Sequence, residues 1–392
     1  MARGSDIPEI IQVQLYIEKK WDFRYNVVLG RIEFKTKHQI DFRVLNDYDL
    51  NSIHKDYSEN MIDYSVEKLR KLLISSFSPR YNPFYQYFND LPIWDGTTDY
   101  IDMLASTVKT TNDDFFRLVF KKWIVAMVGS LLDDKVINHT FLILTGGQGV
   151  GKTTWINNLV PPELHEYYYS GAINPNNSDS KIQLGENMLI NIDELQGMTS
   201  KGLEDLKALI TIRDIKVRRP YAAVHEIIPH RASFAGSVNV PTFLNDTTGN
   251  RRFLCFEVTE IEYEHNIPIE LIYAQALSLF KNGFKFYLDR EEIVRLNEHN
   301  EAFVQRTLED ELMTKYITPC SRDDKDAIIG TTTDIAMTLS TFENKLRVND
   351  TTLQRIGKLL KKKDYERFKK NGNWVYSYKI IYEPQYGYYS ED

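Results

Sequence analysis

Cysteine is nearly absent: Cys255 and Cys320 are the only two in 392 residues, too few for a disulfide framework, so a reducing cytoplasm is the expected location. Long hydrophobic runs are missing as well. The most apolar stretch, Trp123 to Leu132, spans ten residues, well short of the ~20 that a membrane-spanning helix needs, and no membrane partner is expected. The opening Met1-Ala2-Arg3-Gly4-Ser5-Asp6 has no apolar segment of the secretory type. Internal repeats and low-complexity tracts are lacking too, which excludes collagen-like and disordered chains. What remains, 42% hydrophobic and 26% charged residues, is the composition of a globular protein long enough for two or three domains.

Charge is unevenly spread. The net charge of -7 argues against a surface that coats nucleic acid throughout, yet Thr341 to Ile380 carries eleven Lys and Arg against four Asp and Glu, so the rest of the chain stands at -14.

Along the chain, residues 22–45 alternate in a strand-like way with Gly30 available for a turn, and Asn60 to Ile74 has helical apolar spacing. Helices are expected near 97–108 and 113–132. Short, nearly continuous apolar runs follow at Phe141 to Leu144, Met188 to Ile192 and Phe253 to Val258, the pattern of buried parallel strands in an α/β fold. Beyond about residue 265 the pattern is helical. The last 60 residues read as two helices and a hairpin around Asn371-Gly372-Asn373.

Gly146-Gly147-Gln148-Gly149-Val150-Gly151-Lys152-Thr153 fits the phosphate-loop pattern, between an expected strand and an expected helix. Glycines let backbone N–H groups turn onto phosphate oxygens, with the positive end of the following helix aimed at the same anion. Lys152 would reach the β and γ phosphates of ATP, Thr153 would offer its hydroxyl to Mg²⁺, and Thr154 completes the nucleotide-binding stretch. Forty-one residues after Lys152 an apolar run ends in Asp193-Glu194. Asp193 would hold the magnesium through water and Glu194 would polarise the attacking water; the plain alternative is the start of a solvated loop. A third apolar segment ends in Asn239, which can orient that water or serve a turn before Pro241. Arg251 and Arg252 precede the next strand and can stabilise γ-phosphate charge, in cis or from a neighbouring subunit, or form a solvated pair.

The order of phosphate loop, Asp193-Glu194, Gly236-Ser237-Val238-Asn239 and Gly249-Asn250-Arg251-Arg252-Phe253 resembles the virulence-associated protein E family, whose members look like superfamily-three helicases within the AAA+ class, often carried on prophages and mobile elements. The run Asp22-Phe23-Arg24-Tyr25-Asn26-Val27-Val28-Leu29-Gly30 is similar to the leader before this ATPase in Bacteroides-type members. The resemblance covers roughly residues 90–260 and implies an AAA+-like P-loop ATPase core within the α/β fold, with a central, mostly parallel sheet at 136–265; the apolar patterning adds a small N-terminal α+β region at 1–90 and a helical collar-like segment at 91–135. The patterning beyond it reads as a helical linker or lid at 266–330 and, from helix, basic helix and short hairpin, a basic winged helix-turn-helix-like module at 331–392. The resemblance also implies Lys152 and Thr153 as nucleotide and magnesium residues, Asp193 and Glu194 as the second acidic motif, Asn239 as sensor, and Arg251 or Arg252 as finger.

Between the acidic motif and the Asn239 segment, residues 213–221 are basic and suited to a hairpin. In the helicases it resembles, such a hairpin grips single-stranded DNA in a central pore. Lys216, Arg218, Arg219 and Tyr221 are the candidates here, with an intersubunit or nucleotide-proximal surface as the alternative. Lys369 and Lys370 would contact phosphates from the C-terminal module. His225 and His230, five apart with Cys255 distant, make no zinc site. Asp47 and Asp49 read as part of a turn rather than primase carboxylates, and about 90 residues before the core are too few for a primase, so priming is expected of a separate partner chain. The aromatic cluster Phe84, Tyr85, Tyr87, Phe88 and Trp94 reads as packing. The expectation is a ring-forming, hexameric, Mg-dependent ATPase that moves on or unwinds single-stranded or forked DNA in replication of a mobile element. An ATPase switch or loader without unwinding, and an ATP-controlled DNA-binding regulator, are the rivals.

Overall fold

The computed structural model describes residues 7–174, 177–193, 195, 198–219, 224–244 and 250–381. They fall into two compact units, one ending at Phe303 and one beginning at Val304. The second unit therefore begins well before residue 331, the boundary drawn from sequence. No helix among the described residues is long and apolar enough to cross a membrane.

The first unit opens with helix α1 (Glu9–Lys20), which the strand-like reading passed over, followed by β1 (Trp21–Asn26), β2 (Arg31–Thr36) and β3 (Arg43–Val44). β1 and β2 pair antiparallel around Gly30, whose φ of +64° lies in the left-handed region that glycine enters without strain. Next come α2 (Asp47–Glu59), α3 (Val66–Leu73), β4 (Arg80–Tyr81) and α4 (Pro83–Asp90). The segment Asn46–Asp49, read as a turn, is the capping box of α2 instead: Asn46 Oδ1 accepts from the Asp49 N–H at 2.9 Å, and the Asp49 carboxylate accepts from the Asn46 N–H at 3.4 Å. The residue types that favour turns are also the best helix caps, so composition alone could not separate the two. Asp49 also takes the Arg43 guanidinium in a bidentate pair at 2.5 and 2.6 Å. The helix expected from Asn60 begins only at Val66, because Met61 sits at φ +62° and Ser65 supplies the cap. Val13, Ile17, Phe23, Phe34, Leu50 and Leu72 join these elements in one apolar cluster.

The remainder of this unit is a mixed α/β layer. In chain order it contains α5 (Tyr100–Ser106), β5 (Val108–Thr110), α6 (Asp113–Leu132), β6 (Phe141–Thr145), α7 (Lys152–Asn157) and β7 (Tyr168–Ser170). There follow α8 (Ser178–Glu186), β8 (Leu189–Asp193), α9 (Ser200–Ile210), β9 (Asp214–Val217), β10 (Glu226–Pro229), β11 (Ser233–Val238), β12 (Phe253–Ile261), α10 (Ile269–Lys281) and α11 (Arg290–Asn300). The central sheet has the order β5-β12-β6-β11-β8-β7, parallel except for the antiparallel edge strand β5. β6 is buried on both faces, which is why Phe141 to Leu144 reads as an unbroken apolar run. A methyl group at Gly236 on β11 would stand 2.6 Å from the Ile192 carbonyl oxygen, so only glycine lets β8 pass there. Phe116 and Phe120 of α6 meet Trp155 of α7 and Phe256 of β12 in the aromatic core, and the Trp155 indole N–H donates to Thr107 Oγ1 at 2.8 Å.

The second unit comprises α12 (Leu308–Tyr316), β13 (Ile317–Pro319), β14 (Ile328–Gly330), α13 (Thr332–Phe342), α14 (Asp350–Lys362), β15 (Arg367–Lys370) and β16 (Asn373–Ile380). β16 pairs antiparallel with β13, β14 and β15. Asn371 and Gly372, at φ +50° and +81°, form the two-residue turn of the β15–β16 hairpin. Met313, Ile335, Leu339, Ile356 and Tyr378 give this unit a core of its own.

Trp155 is fully buried, so Trp155→Ala should cost about 3–5 kcal/mol through lost burial and the cavity left behind. Urea denaturation followed by far-UV circular dichroism checks this, and a loss under ~1 kcal/mol would contradict the packing described.

Candidate functional site

β6, β8 and β11 run parallel in step, with Val238 opposite Thr145 and Ser237 opposite Asp193. Their C-terminal ends therefore share one edge of the sheet, and the loop 146–151 springs from that edge. Gly146, Gly149 and Gly151 have φ of +146°, +85° and +90°. A methyl group at Gly146 would come 2.7 Å from the Val258 carbonyl oxygen, so the loop's first residue is glycine for space as well as for conformation. Gly147, Gln148 and Gly149 are exposed, Val150 is half-buried, and Thr153 and Thr154 are exposed on the first turn of α7.

Lys152 is buried at 5% exposure. Its ammonium donates to the carbonyl oxygens of Gly146 and Gly147, each at 2.8 Å, and to Asn239 Oδ1 at 3.4 Å. Burial lowers its pKa below the ordinary lysine value. An ammonium held this way inside a loop of exposed backbone is placed to meet an oxyanion arriving from solvent.

A second polar group lies beside it. Thr153 Oγ1 stands 3.5 Å from Asp193 Oδ1 and 3.2 Å from Ser237 Oγ, and Ser237 Oγ donates to Asp193 Oδ1 at 3.1 Å. Ser170 Oγ donates to Asp193 Oδ2 at 3.3 Å, and Asn191 Nδ2 lies 3.4 Å from Oδ1. Hydroxyl and carboxylate oxygens form the donor set a hard divalent cation prefers. Ser237 and Ser170 were missed from sequence; the available signal for Ser237 was its place two residues before Asn239 in a strand that pairs directly with Asp193. Glu194 lies outside the described residues.

The structure separates Arg251 and Arg252 from this edge. They immediately precede β12, which runs parallel to β6 with Phe253 opposite Phe141 and Glu257 opposite Thr145. The arginines therefore sit at the opposite edge of the sheet, about five residues or ~16 Å along the strand from the start of the loop. There they line a cavity of about 540 Å³ with His139, Thr140 and Thr211, where burial and the neighbouring Arg252 lower the His139 pKa. Of the two settings weighed for an arginine finger, action on the phosphate loop of the same chain does not fit this geometry.

β9 and β10 form the hairpin expected around residues 213–221, with Val217 opposite Glu226. Lys216 and Arg218 are exposed on it, whereas Tyr221 lies outside the described residues. Arg219 is not a surface group, which corrects its assignment to nucleic acid. Its guanidinium bonds Glu226 at 2.6 Å, Glu186, the Val28 carbonyl oxygen at 2.9 Å and the Leu29 carbonyl oxygen. A planar fork with five donors can satisfy four acceptors inside the protein. A methyl group at Gly30 would meet this guanidinium at 2.8 Å. In the second unit Lys369 and Lys370 are exposed on β15, with the Lys369 ammonium 5.3 Å from the centre of the Trp374 ring.

Residues 88–305 match the virulence-associated protein E-like domain. The chain belongs to that family. The matched range of this virulence-associated protein E-like chain contains the loop, Asp193, Asn239 and both arginines, and the resemblance drawn from the order of the motifs is thereby shown. No curated protein matches. Among solved structures, the chain is similar to the A-form apo structure of the NrS-1 C-terminal region, with 13% identity and a TM-score of 0.48 over 95% of this chain and 99% of that one. A second apo structure of that region gives 14% identity and a TM-score of 0.46 over 96% and 100%.

Arg219→Ala leaves Glu186, whose pKa burial already raises, without its partner, and should cost about 3–5 kcal/mol of stability. Arg219→Lys should recover only part, since an ammonium cannot span the four acceptors. Denaturation midpoints of the two variants measure this, and an Arg219→Ala protein as stable as the parent would refute the assignment.

Proposed function

We propose that this chain is a Mg-dependent ATPase that works as a homo-oligomeric ring, a hexamer, to move on or unwind single-stranded or forked DNA during replication of a mobile element. The observation that carries the reading is the meeting of Lys152, Thr153, Asp193 and Asn239 at one edge of the sheet around a loop of left-handed glycines. Family membership and the motif order support the superfamily-three-helicase-like AAA+ core, and the order of helices and the β15–β16 hairpin supports a winged-helix-like second unit.

In this reading the exposed N–H groups of the 146–151 loop take the β and γ phosphates, and Lys152 exchanges the Gly146 and Gly147 carbonyls for phosphate oxygens. Thr153 and Asp193, with Ser237, would hold Mg²⁺; when bound, the ion neutralises charge on the phosphates. Asn239 orients a water, and Glu194 takes its proton as the oxygen bonds to the γ phosphorus and the bond to the bridging oxygen breaks, releasing ADP. Because Arg251 and Arg252 stand at the far edge, they serve the phosphates of a neighbouring chain, which makes assembly a condition of activity. Lys216 and Arg218 on the exposed hairpin would meet DNA phosphates, as would Lys369 and Lys370. Priming belongs to a separate partner.

Steady-state hydrolysis should rise with chain concentration and with added single-stranded DNA, and Lys152→Ala should lower it by at least ~10²-fold. Mixing Lys152→Ala with Arg251→Ala chains, or with Arg252→Ala chains, should restore part of the rate. No rescue at any ratio for either arginine would overturn the shared site. Hydrolysis indifferent to DNA, with no strand displacement, would favour a loader or switch instead. Lys216→Ala should weaken DNA binding on all sequences alike and reduce the salt slope by about one, as read from binding titrations at several salt concentrations.

A further inference from the structure

At the edge of the central sheet opposite the phosphate loop, the cavity of about 540 Å³ lined by Arg251 and Arg252 lies a strand's length from that loop. We infer that this cavity is a separate binding site for an amphiphilic organic phosphate, a phosphomonoester head on an aromatic or apolar body, with the two arginines taking the head. The inference does not depend on the reading of loop 146–151.

The charge around the cavity is of one sign. Lys122, Lys135, His139, Arg251 and Arg252 line it, and none of its lining residues is acidic. Cations gathered in one place repel one another unless acids are interleaved. Of these side chains only Lys122 has an acidic partner among the described residues: its ammonium donates to Glu292 at 2.6 Å and to the Tyr287 carbonyl oxygen at 3.1 Å. Burial, and then the charge of Arg252, lower the His139 pKa, so the ring is neutral at pH 7 and adds a further N–H donor. Arg251 is exposed and Arg252 half-buried, which sets them where the cavity meets solvent. A guanidinium meets a phosphate with two parallel N–H bonds, and a pair of them with no competing carboxylate suits a dianion better than a single negative charge.

The remaining walls call for a body on that anion. Val119, Trp123 and Ala126 stand at i, i+4 and i+7 on α6, so one face of the helix forms an apolar wall, which Leu254 and Leu288 extend. Trp123 is 1% exposed, and its indole N–H has no hydrogen-bond partner among the described residues. A buried donor left unpaired is unfavourable, and an oxygen of a bound molecule removes that penalty. The volume lies within the ~300–1,000 Å³ of small-molecule sites, most of which a bare phosphate ion would leave unfilled.

The test is calorimetric titration of the full chain, without nucleotide, with 1-naphthyl phosphate, 1-naphthoate and inorganic phosphate. The naphthyl ester should bind once per chain and about tenfold or more tighter than either of the others. Arg251→Ala and Arg252→Ala should each weaken it by about tenfold, since each removes a charge-assisted bond. Trp123→Phe, which keeps a ring beside Phe120, should weaken it by about threefold or more, and Lys152→Ala should leave it unchanged. Inorganic phosphate or naphthoate binding as tightly as the ester would overturn the proposal. So would an affinity unchanged in both arginine variants, one lost in Lys152→Ala, which would put the probe on the phosphate loop, or no binding at ~1 mM ester. In the proposed ring the same guanidiniums serve a neighbouring chain and cannot hold a head group as well, so the bound ester should slow ATP hydrolysis. Binding without slowing would uphold the cavity and count only against the role of the arginines across the ring.

Discussion

Because β6, β8, β11 and β12 run parallel with their hydrogen-bond ladders in step, Thr145, Asp193 and Val238 finish on one edge of the sheet while Arg252 stands at the start of β12 on the other. Parallel pairing of this kind survives only when both faces are covered; α6, α7 and the aromatic cluster around Trp155 cover the face of Leu142, Leu144, Leu254 and Phe256, and Phe141, Phe234 and Phe253 pack together on the other. The close passage at Gly236 keeps β8 and β11 in contact, and with them the carboxylate of Asp193 and the hydroxyl of Ser237. A slip of one residue in that ladder would turn Ser237 to the other face and separate the oxygen cluster.

The parts of the fold that local pattern controls were legible. The apolar runs at β6, β8 and β12, the glycine turn at Gly30, the Asn371-Gly372 hairpin and the loop around Lys152 all express short-range chemistry. The glycine pattern is informative because the backbone angles it demands are ones other residues avoid. Where one composition serves two structures, the local pattern does not choose between them. Asn46 to Asp49 has turn composition, but Arg43 and the start of α2 make it a cap. α1 has exposed isoleucines and a weakly marked apolar face, and it was not read as a helix at all.

The site shows the same division. Lys152, Asp193 and Asn239 lie at one edge because Asp193 ends β8, Asn239 follows β11, and Lys152 opens α7 after the loop that leaves β6. Ser170 joins them from the edge strand β7, a neighbour that no spacing in the sequence reveals. Arg219 failed in the opposite direction. A run of basic residues carries no mark of which cation faces solvent and which is claimed by internal acceptors; only the fold brings Glu186 and the carbonyls of Val28 and Leu29 to it.

The Arg219 contacts have a mechanical side. The guanidinium fastens the hairpin of β9 and β10, at the end where the chain leaves β9 for the turn, to the turn between β1 and β2 and to α8, while Lys216 and Arg218 are exposed. A hairpin held at its turn end as well as by its own chain at the base is a braced span rather than a flap free to swing. A pull on its outer strand is delivered, through one side chain, to the four-stranded sheet at the start of the chain, so that small sheet acts as the anchor block against which the hairpin bears.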